Sequence, residues 1–185
     1  MAIVRSGNKS VLLVVDVQVA VMKNGWEAPR VIANVALAVE RARARGVPVL
    51  WVQHESEDMP YDSPGWQWVP ELVPAAGEVR LFKKYASSFE ETPLERELDR
   101  LGASHIVLAG AQSNWCIRAA SYGALDRGYD LTLVADAHTT DDIEREDGSV
   151  IEARGIVDDL NIAMTWLVYP GRQTRIAKAA ELDFG

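Results

Sequence analysis

Five short runs rich in β-branched and other apolar residues recur along the chain: VLLVVDV (residues 11–17), VPVLWVQH (47–54), EVRLFKK (78–84), HIVLAG (105–110) and DLTLVAD (130–136). Each reads as a strand buried on both faces. Between them lie helical patterns. Val31, Val35, Ala38 and Ala42 form one apolar stripe, and Leu94, Leu98 and Leu101 form another, stopped by Gly102. A further helix carries Val157, Leu160, Met164 and Leu167 and ends before Pro170 and Gly171, and TRIAKAAEL (174–182) is read as a last strand. Strands that alternate with helices predict crossover connections and a parallel sheet. The expected fold is therefore α/β and Rossmann-like: a doubly wound, mainly parallel sheet of five to six strands with helices on both faces. The 185 residues are 48% hydrophobic and no Pro/Gly/Ser-rich linker divides them, so one domain is expected over residues 1–185.

Charge and composition narrow the partners. The net charge is -8 and Lys and Arg are interspersed with Asp and Glu, so a polyanion would meet repulsion and no nucleic acid partner is expected. The N-terminal apolar run is short and close to Asp16, unlike a signal peptide, and no apolar stretch is long enough to span a bilayer. The expected location is cytoplasmic, with no membrane partner. One cysteine cannot form an internal disulfide.

In sheets of this kind ligands bind beyond the carboxyl ends of the strands, where strand order reverses. Asp16 closes the first run, His54 and Glu55 follow the second, Lys83 and Lys84 close the third, the segment GAQSNWC follows the fourth and Asp136 closes the fifth. Cys116, the single thiol, lies where a helix starts at about Trp115, so helix amides and a cation could lower its pKa. The alternative is a buried, inert cysteine. Asp16 interrupts an apolar strand and is either a general acid/base or a cap of the following turn. Alternation puts Lys83 on the face of Val79 and Leu81; it is either functional or a snorkelling lysine, and Lys84 competes for the role. A metal on His54 lacks further ligands at compatible spacing, so no metal and no cofactor are expected. His54 with Glu55 reads as a polar pocket wall or a hydrogen-bonded strand end.

VVDVQ, then KKYASSFEETPLERELDRLG with its Lys, Ser-x-Phe and Thr-x-Leu, then GAQSNWC opening a helix, and GYDLTLVADAHTT together resemble the isochorismatase-like cysteine hydrolases, over about residues 10–140. The resemblance implies a catalytic triad of Asp16, Lys83 and Cys116. Lys83 is chosen over Lys84 because the family lysine stands four residues before the Ser of Ser-x-Phe, here Ser87. It also implies a cis peptide between Ala111 and Gln112 and an oxyanion hole built from the amides of Gln112 and Cys116. Family members often have Ala-Thr-Asp where this chain has Gln112, Ser113 and Asn114, which places Gln112 to project an amide into the pocket. The metal-binding Asp-x-His of the nicotinamidase branch is absent, with Gln53 and Glu55 around His54 and no second histidine following as that branch has it; the other two histidines, His105 and His138, lie in a strand start and a later loop. Isochorismatases proper cleave a vinyl ether without needing the cysteine, so Cys116 favours acyl transfer.

The implied function is an amidohydrolase that cleaves the C–N bond of a small amide or ureido substrate through a thioester. The rival from another class is a non-catalytic small-molecule-binding or redox-sensing protein with an oxidisable Cys116. DMPYDSPGWQWVPEL (58–72) is long for a connection and carries Trp66 and Trp68, while Trp26 follows Asp16 and Trp115 adjoins the thiol. These four tryptophans are expected to line the substrate pocket with His54 and Glu55. Long aromatic loops need cover and similar proteins associate, so a homodimer or larger even homo-oligomer is expected.

Overall fold

Residues 3–184 are described by a computed structural model. They hold eight strands: β1 (Lys9–Val15), β2 (Val49–His54), β3 (Val79–Lys83), β4 (Ala103–Ala111), β5 (Asp130–Thr139), β6 (Ile143–Glu144), β7 (Val150–Ile151) and β8 (Thr174–Ala177). The helices are α1 (Val19–Met22), α2 (Ala28–Ala44), α3 (Leu94–Leu101), α4 (Arg118–Asp126) and α5 (Ala153–Trp166). Six strands form one sheet in the order β3-β2-β1-β4-β5-β8, parallel throughout, and β6 and β7 form a small antiparallel ribbon. The order reverses between β1 and β4, so a crevice is expected beyond Val15 and Ala111.

The near-continuous apolar runs make the central strands water-free on both sides. Leu12, Val14, Val107 and Val134 face α2, with Val31, Val35, Ala38 and Ala42 in the same core. Val11, Leu13, Leu108 and Leu133 face α3, α4 and α5 through Leu94, Leu98, Ala124, Leu160 and Met164. Both sequence stripes therefore bury against the sheet. Gly102 closes α3 in the left-handed region, at φ 68, where a side chain would be strained.

Four sequence expectations are corrected. EVRLFKK is not buried on both faces: β3 is the edge of the sheet, with Leu81 and Lys83 inward and Arg80 and Phe82 outward. The last strand stops at Ala177 and a short 3-10 turn, Ala179–Glu181, takes over. Asp136 does not close the fifth strand, which runs on to Thr139; its Oδ1 instead accepts the Ala179 amide at 2.8 Å. His138, placed by the sequence in a later loop, lies in β5. The cause is a register shift: Leu108 pairs with Leu133 but Gly110 with His138, so the extra residues of β5 bulge out and pairing resumes beyond them.

Candidate active site

The site is assembled by three strand ends. Asp16 follows β1 directly and is almost fully buried, with φ 53; its amide donates to the Val52 carbonyl at 2.8 Å. A non-glycine residue in the left-handed region costs free energy, least for Asp and Asn, and here it turns the side chain off the strand axis. Lys83 is the last residue of β3, and edge-strand alternation turns it inward, 2% exposed, while Lys84 is exposed and pairs with Glu55 at 3.2 Å. Cys116 sits on a π-helical turn, Ser113–Ile117, that opens two residues earlier than expected and runs straight into α4. The Ala111–Gln112 peptide that precedes this turn is cis. Gly110 lets β1 and β4 come this close: at φ 131, a Cβ there would stand 1.9 Å from the Val15 carbonyl oxygen.

Lys83 joins the three. Its Nζ lies 2.7 Å from Asp16 Oδ2, donates to Cys116 Sγ at 3.1 Å and to the Tyr85 carbonyl at 3.2 Å, and stands 3.4 Å from His54 Nδ1. Asp16 and Lys83 are an ion pair by distance, yet neither Asp16 oxygen receives a well-aligned hydrogen bond. The carboxylate is thus left with acceptor capacity beside the thiol. Burial alone would lower the Lys83 pKa, but Asp16 and Cys116 outweigh it and hold the ammonium. Burial, then the Asp16 charge, push the Cys116 thiol up to about 12 against the opposing pull of Lys83. The expected lowering of the thiol is reversed, because the sulfur is more strongly desolvated than one cation can offset. The resting arrangement is a thiol between a carboxylate and an ammonium, and such a thiol needs a base as it attacks.

The other candidate residues fall at different depths. Burial and then Lys83 lower the His54 pKa, partly offset by Asp16 and Glu55, so its imidazole is neutral with Nδ1 toward the ammonium. A metal cation on that nitrogen would oppose Lys83, and among the described residues no group of three or more His, Cys, Asp or Glu is placed to hold one. Glu55 lines a cavity with Ser56, Glu57, Pro60, Tyr61 and Lys84. Trp26 lines another with Asn24, Asp141 and Asp142. Gln112 turns its side-chain amide to the Asp141 carboxylate, and Asp141 Oδ1 is buried without a partner. Trp115 is exposed beside the thiol. Trp66 is buried beneath the exposed rings of Tyr61 and Phe82, ring centroids 4.6 and 5.5 Å away. Trp68 is not brought to the Lys83 cluster: it packs edge-on against Trp51, at 5.1 Å, in the core on the α2 side of the sheet. A further cavity, with Ser10, His105 and Asp130, opens at the amino ends of the strands, away from Lys83 and Cys116.

Two supports were not singled out from the sequence. Gln18, fully buried, accepts the His54 amide at 2.8 Å and donates to the carbonyls of His54 and Trp66 at 3.0 and 2.8 Å, tying β2 to the 58–72 segment. Its signal was available, an amide two residues past Asp16 in an apolar run. The end of β5 is the second: Thr139 Oγ1 donates to the Trp26 carbonyl at 2.6 Å and Thr140 Oγ1 to Asn114 Oδ1 at 2.5 Å.

Residues 10–161 match the isochorismatase domain family. The chain is 35% identical to a streptothricin hydrolase of Streptomyces noursei over 162 residues, 83% of this chain and 61% of that protein. It is 31% identical to a maleamate amidohydrolase of Pseudomonas putida over 60% of this chain and 58% of that one, and 29% identical to a ureidoacrylate amidohydrolase of Methylobacterium radiotolerans over 68% and 65%. It thus spans about three-fifths of the length of these relatives. Among solved structures, an isochorismatase from Pseudomonas putida KT2440 superposes with a TM-score of 0.81 at 28% identity, covering 93% of this chain and 89% of that one. With the sheet order, the three strand ends and these likenesses in agreement, the chain belongs to the isochorismatase family.

Proposed function

We propose that the protein is a cysteine-dependent amidohydrolase that cleaves the C–N bond of a small amide or ureido substrate. The observation that carries this reading is the buried contact of Lys83 with both Asp16, at 2.7 Å, and Cys116, at 3.1 Å, at the point where strand order reverses. The names of the three hydrolases above, two of them amidohydrolases, support the reaction class.

In this mechanism Asp16 takes the thiol proton as Cys116 Sγ attacks the substrate carbonyl carbon, and Lys83 steadies the negative charge passing through the sulfur. The amides of Gln112 and Cys116 hold the oxyanion. The turn between them is closed by the Gln112 carbonyl, which accepts the amides of Trp115 and Ile117, each at 3.1 Å. The C–N bond breaks as Asp16 returns its proton to the leaving nitrogen. A water then attacks the thioester, Asp16 accepts its proton, the C–S bond breaks and the sulfur is reprotonated. Trp26, His54, Glu55, Trp66 and Trp115 are the substrate-side groups of this reading, and Trp68 is not among them.

The test is ammonia release from a panel of primary amides and ureido compounds. Wild type turns over at least one, and Cys116→Ala loses about 10³-fold or more. Equal release by both proteins contradicts the nucleophile. Turnover is also expected to survive dialysis against a chelator; loss of activity together with stoichiometric metal before dialysis contradicts metal-free chemistry. Phe82, Tyr61 and Tyr85, exposed along the β3 edge, support the further reading of an even homo-oligomer. Light scattering at micromolar concentration is expected to give an even multiple of the chain mass, and a monomer mass contradicts it.

A further inference from the structure

We propose that His138 is a positioning residue for the nucleophile: through Ser113 it fixes the turn that carries the Gln112 amide and Cys116. The proposal rests on the cysteine-hydrolase reading above and adds to it a residue outside the triad. His138 is 1% exposed, and both its ring nitrogens are engaged. Nδ1 is 2.8 Å from Ser113 Oγ, and Nε2 is 3.1 Å from Asn161 Oδ1 on α5. Asn161 fixes the proton on Nε2. Its Nδ2 donates to the Ala135 carbonyl at 3.0 Å, so its Oδ1 is the atom facing the ring. Nε2 must then donate, and with the ring kept neutral by its burial Nδ1 accepts from the Ser113 hydroxyl, a single tautomer.

What this network holds is the turn itself. Ser113 is fully buried and is the first residue of the π turn, and its carbonyl accepts the amide of Arg118, where α4 begins. Its neighbour Asn114 is held from the same quarter, by Thr140. Two successive residues ahead of the thiol are thus gripped by side chains from the end of β5 and the residue beyond it. The bulge in β5 makes this possible, since it brings His138 level with Gly110 and three residues short of Ser113. A turn set by buried, directional bonds keeps the oxyanion donors and the sulfur in one geometry, whereas small displacements of reacting groups cost large factors in rate.

The neutral state follows from the surroundings. Burial dominates and carries the His138 pKa down to about 4, against the Asn161 hydrogen bond and the charges of Asp136 on β5 and Asp158 on α5. Two substitutions separate the ring nitrogens. His138→Asn retains an acceptor near the Nδ1 position and so the Ser113 bond; His138→Gln reaches the Nε2 position and retains the Asn161 bond instead.

The test combines kinetics on an amide from the panel with a nitrogen-15 spectrum of the wild-type histidines, which needs no turnover. His138→Gln and Ser113→Ala are each expected to lower kcat about tenfold or more with KM within about twofold. The double variant should be no worse than either, and His138→Asn should keep most of the rate. The His138 ring should be neutral and protonated on Nε2 from pH 5 to 8. Overturning results are a ring protonated on Nδ1 or on both nitrogens at pH 7, equal losses in the Asn and Gln variants, or kcat within twofold of wild type in all of them. A Cys116→Ala protein that still releases ammonia would defeat the cysteine-hydrolase reading instead, and the spectrum reports on the tautomer whichever way that falls.

Discussion

At the scale of single residues, the site depends on how a carboxylate, an ammonium and a thiol share a water-poor space. Cys116 is held as a thiol by burial and by Asp16, and only Lys83 works in the other direction. The alkylation rate of Cys116 against pH should therefore rise with a midpoint above that of a free cysteine. Lys83→Met should move the midpoint higher and Asp16→Asn lower, because removing the carboxylate removes a charge that disfavours the thiolate. Lys84→Met, at the exposed partner of Glu55, should leave it unchanged. A wild-type midpoint below a free thiol would contradict this electrostatic balance. The roles of Asp16 and Cys116 were suggested by where they stand, a carboxylate ending an apolar run and a lone thiol after a strand. The sign of the thiol shift was not legible, since it depends on the depth of burial and on how near each charge lies.

At the scale of elements, the approach of β1 to β4 sets the distance from Asp16 to Cys116. Gly110 permits it, since any Cβ there meets the Val15 carbonyl at φ 131. Gly110→Ala should lower stability by about 3 kcal/mol or more, read from the urea midpoint, and lose activity with it. Gly155 is the counterexample: it lies in α5, and a Cβ built there meets nothing within 4 Å. Gly155→Ala should stabilise by roughly 0.5–1 kcal/mol through backbone entropy. A neutral Gly110→Ala would mean that the two strands can part without cost. The strands and the two apolar stripes were readable because a buried parallel sheet demands unbroken apolar runs. The edge position of β3 showed only in the alternation of Leu81 and Lys83 with Arg80 and Phe82. The bulge in β5 and the placement of Trp68 against Trp51 left no local signature, because both are settled by pairing between distant segments.

At the scale of the whole molecule, two neutral histidines link stability to pH. His138 sits beside the turn that carries Cys116 and His105 between Ser10 and Thr132 at the other end of the sheet, and burial takes both down to about 4 from the ordinary 6.5. Between those values the unfolded chain binds protons that the folded chain refuses. Stability contributed by these residues is thus complete above pH 6.5 and falls as pH drops toward 4, by about 1.4 kcal/mol per pH unit for each histidine. The urea midpoint should fall from pH 7 to pH 5, with a shallower slope in His138→Asn; a midpoint unchanged over that interval would contradict it. The central claim, a covalent acyl group on Cys116, is tested most directly by hydroxylamine trapping on two amides that share an acyl group and differ in the leaving amine. Both should give hydroxamate and acid in the same ratio, because one thioester partitions between hydroxylamine and water. A ratio that depends on the leaving amine, or acid formed without hydroxamate, would contradict the thioester.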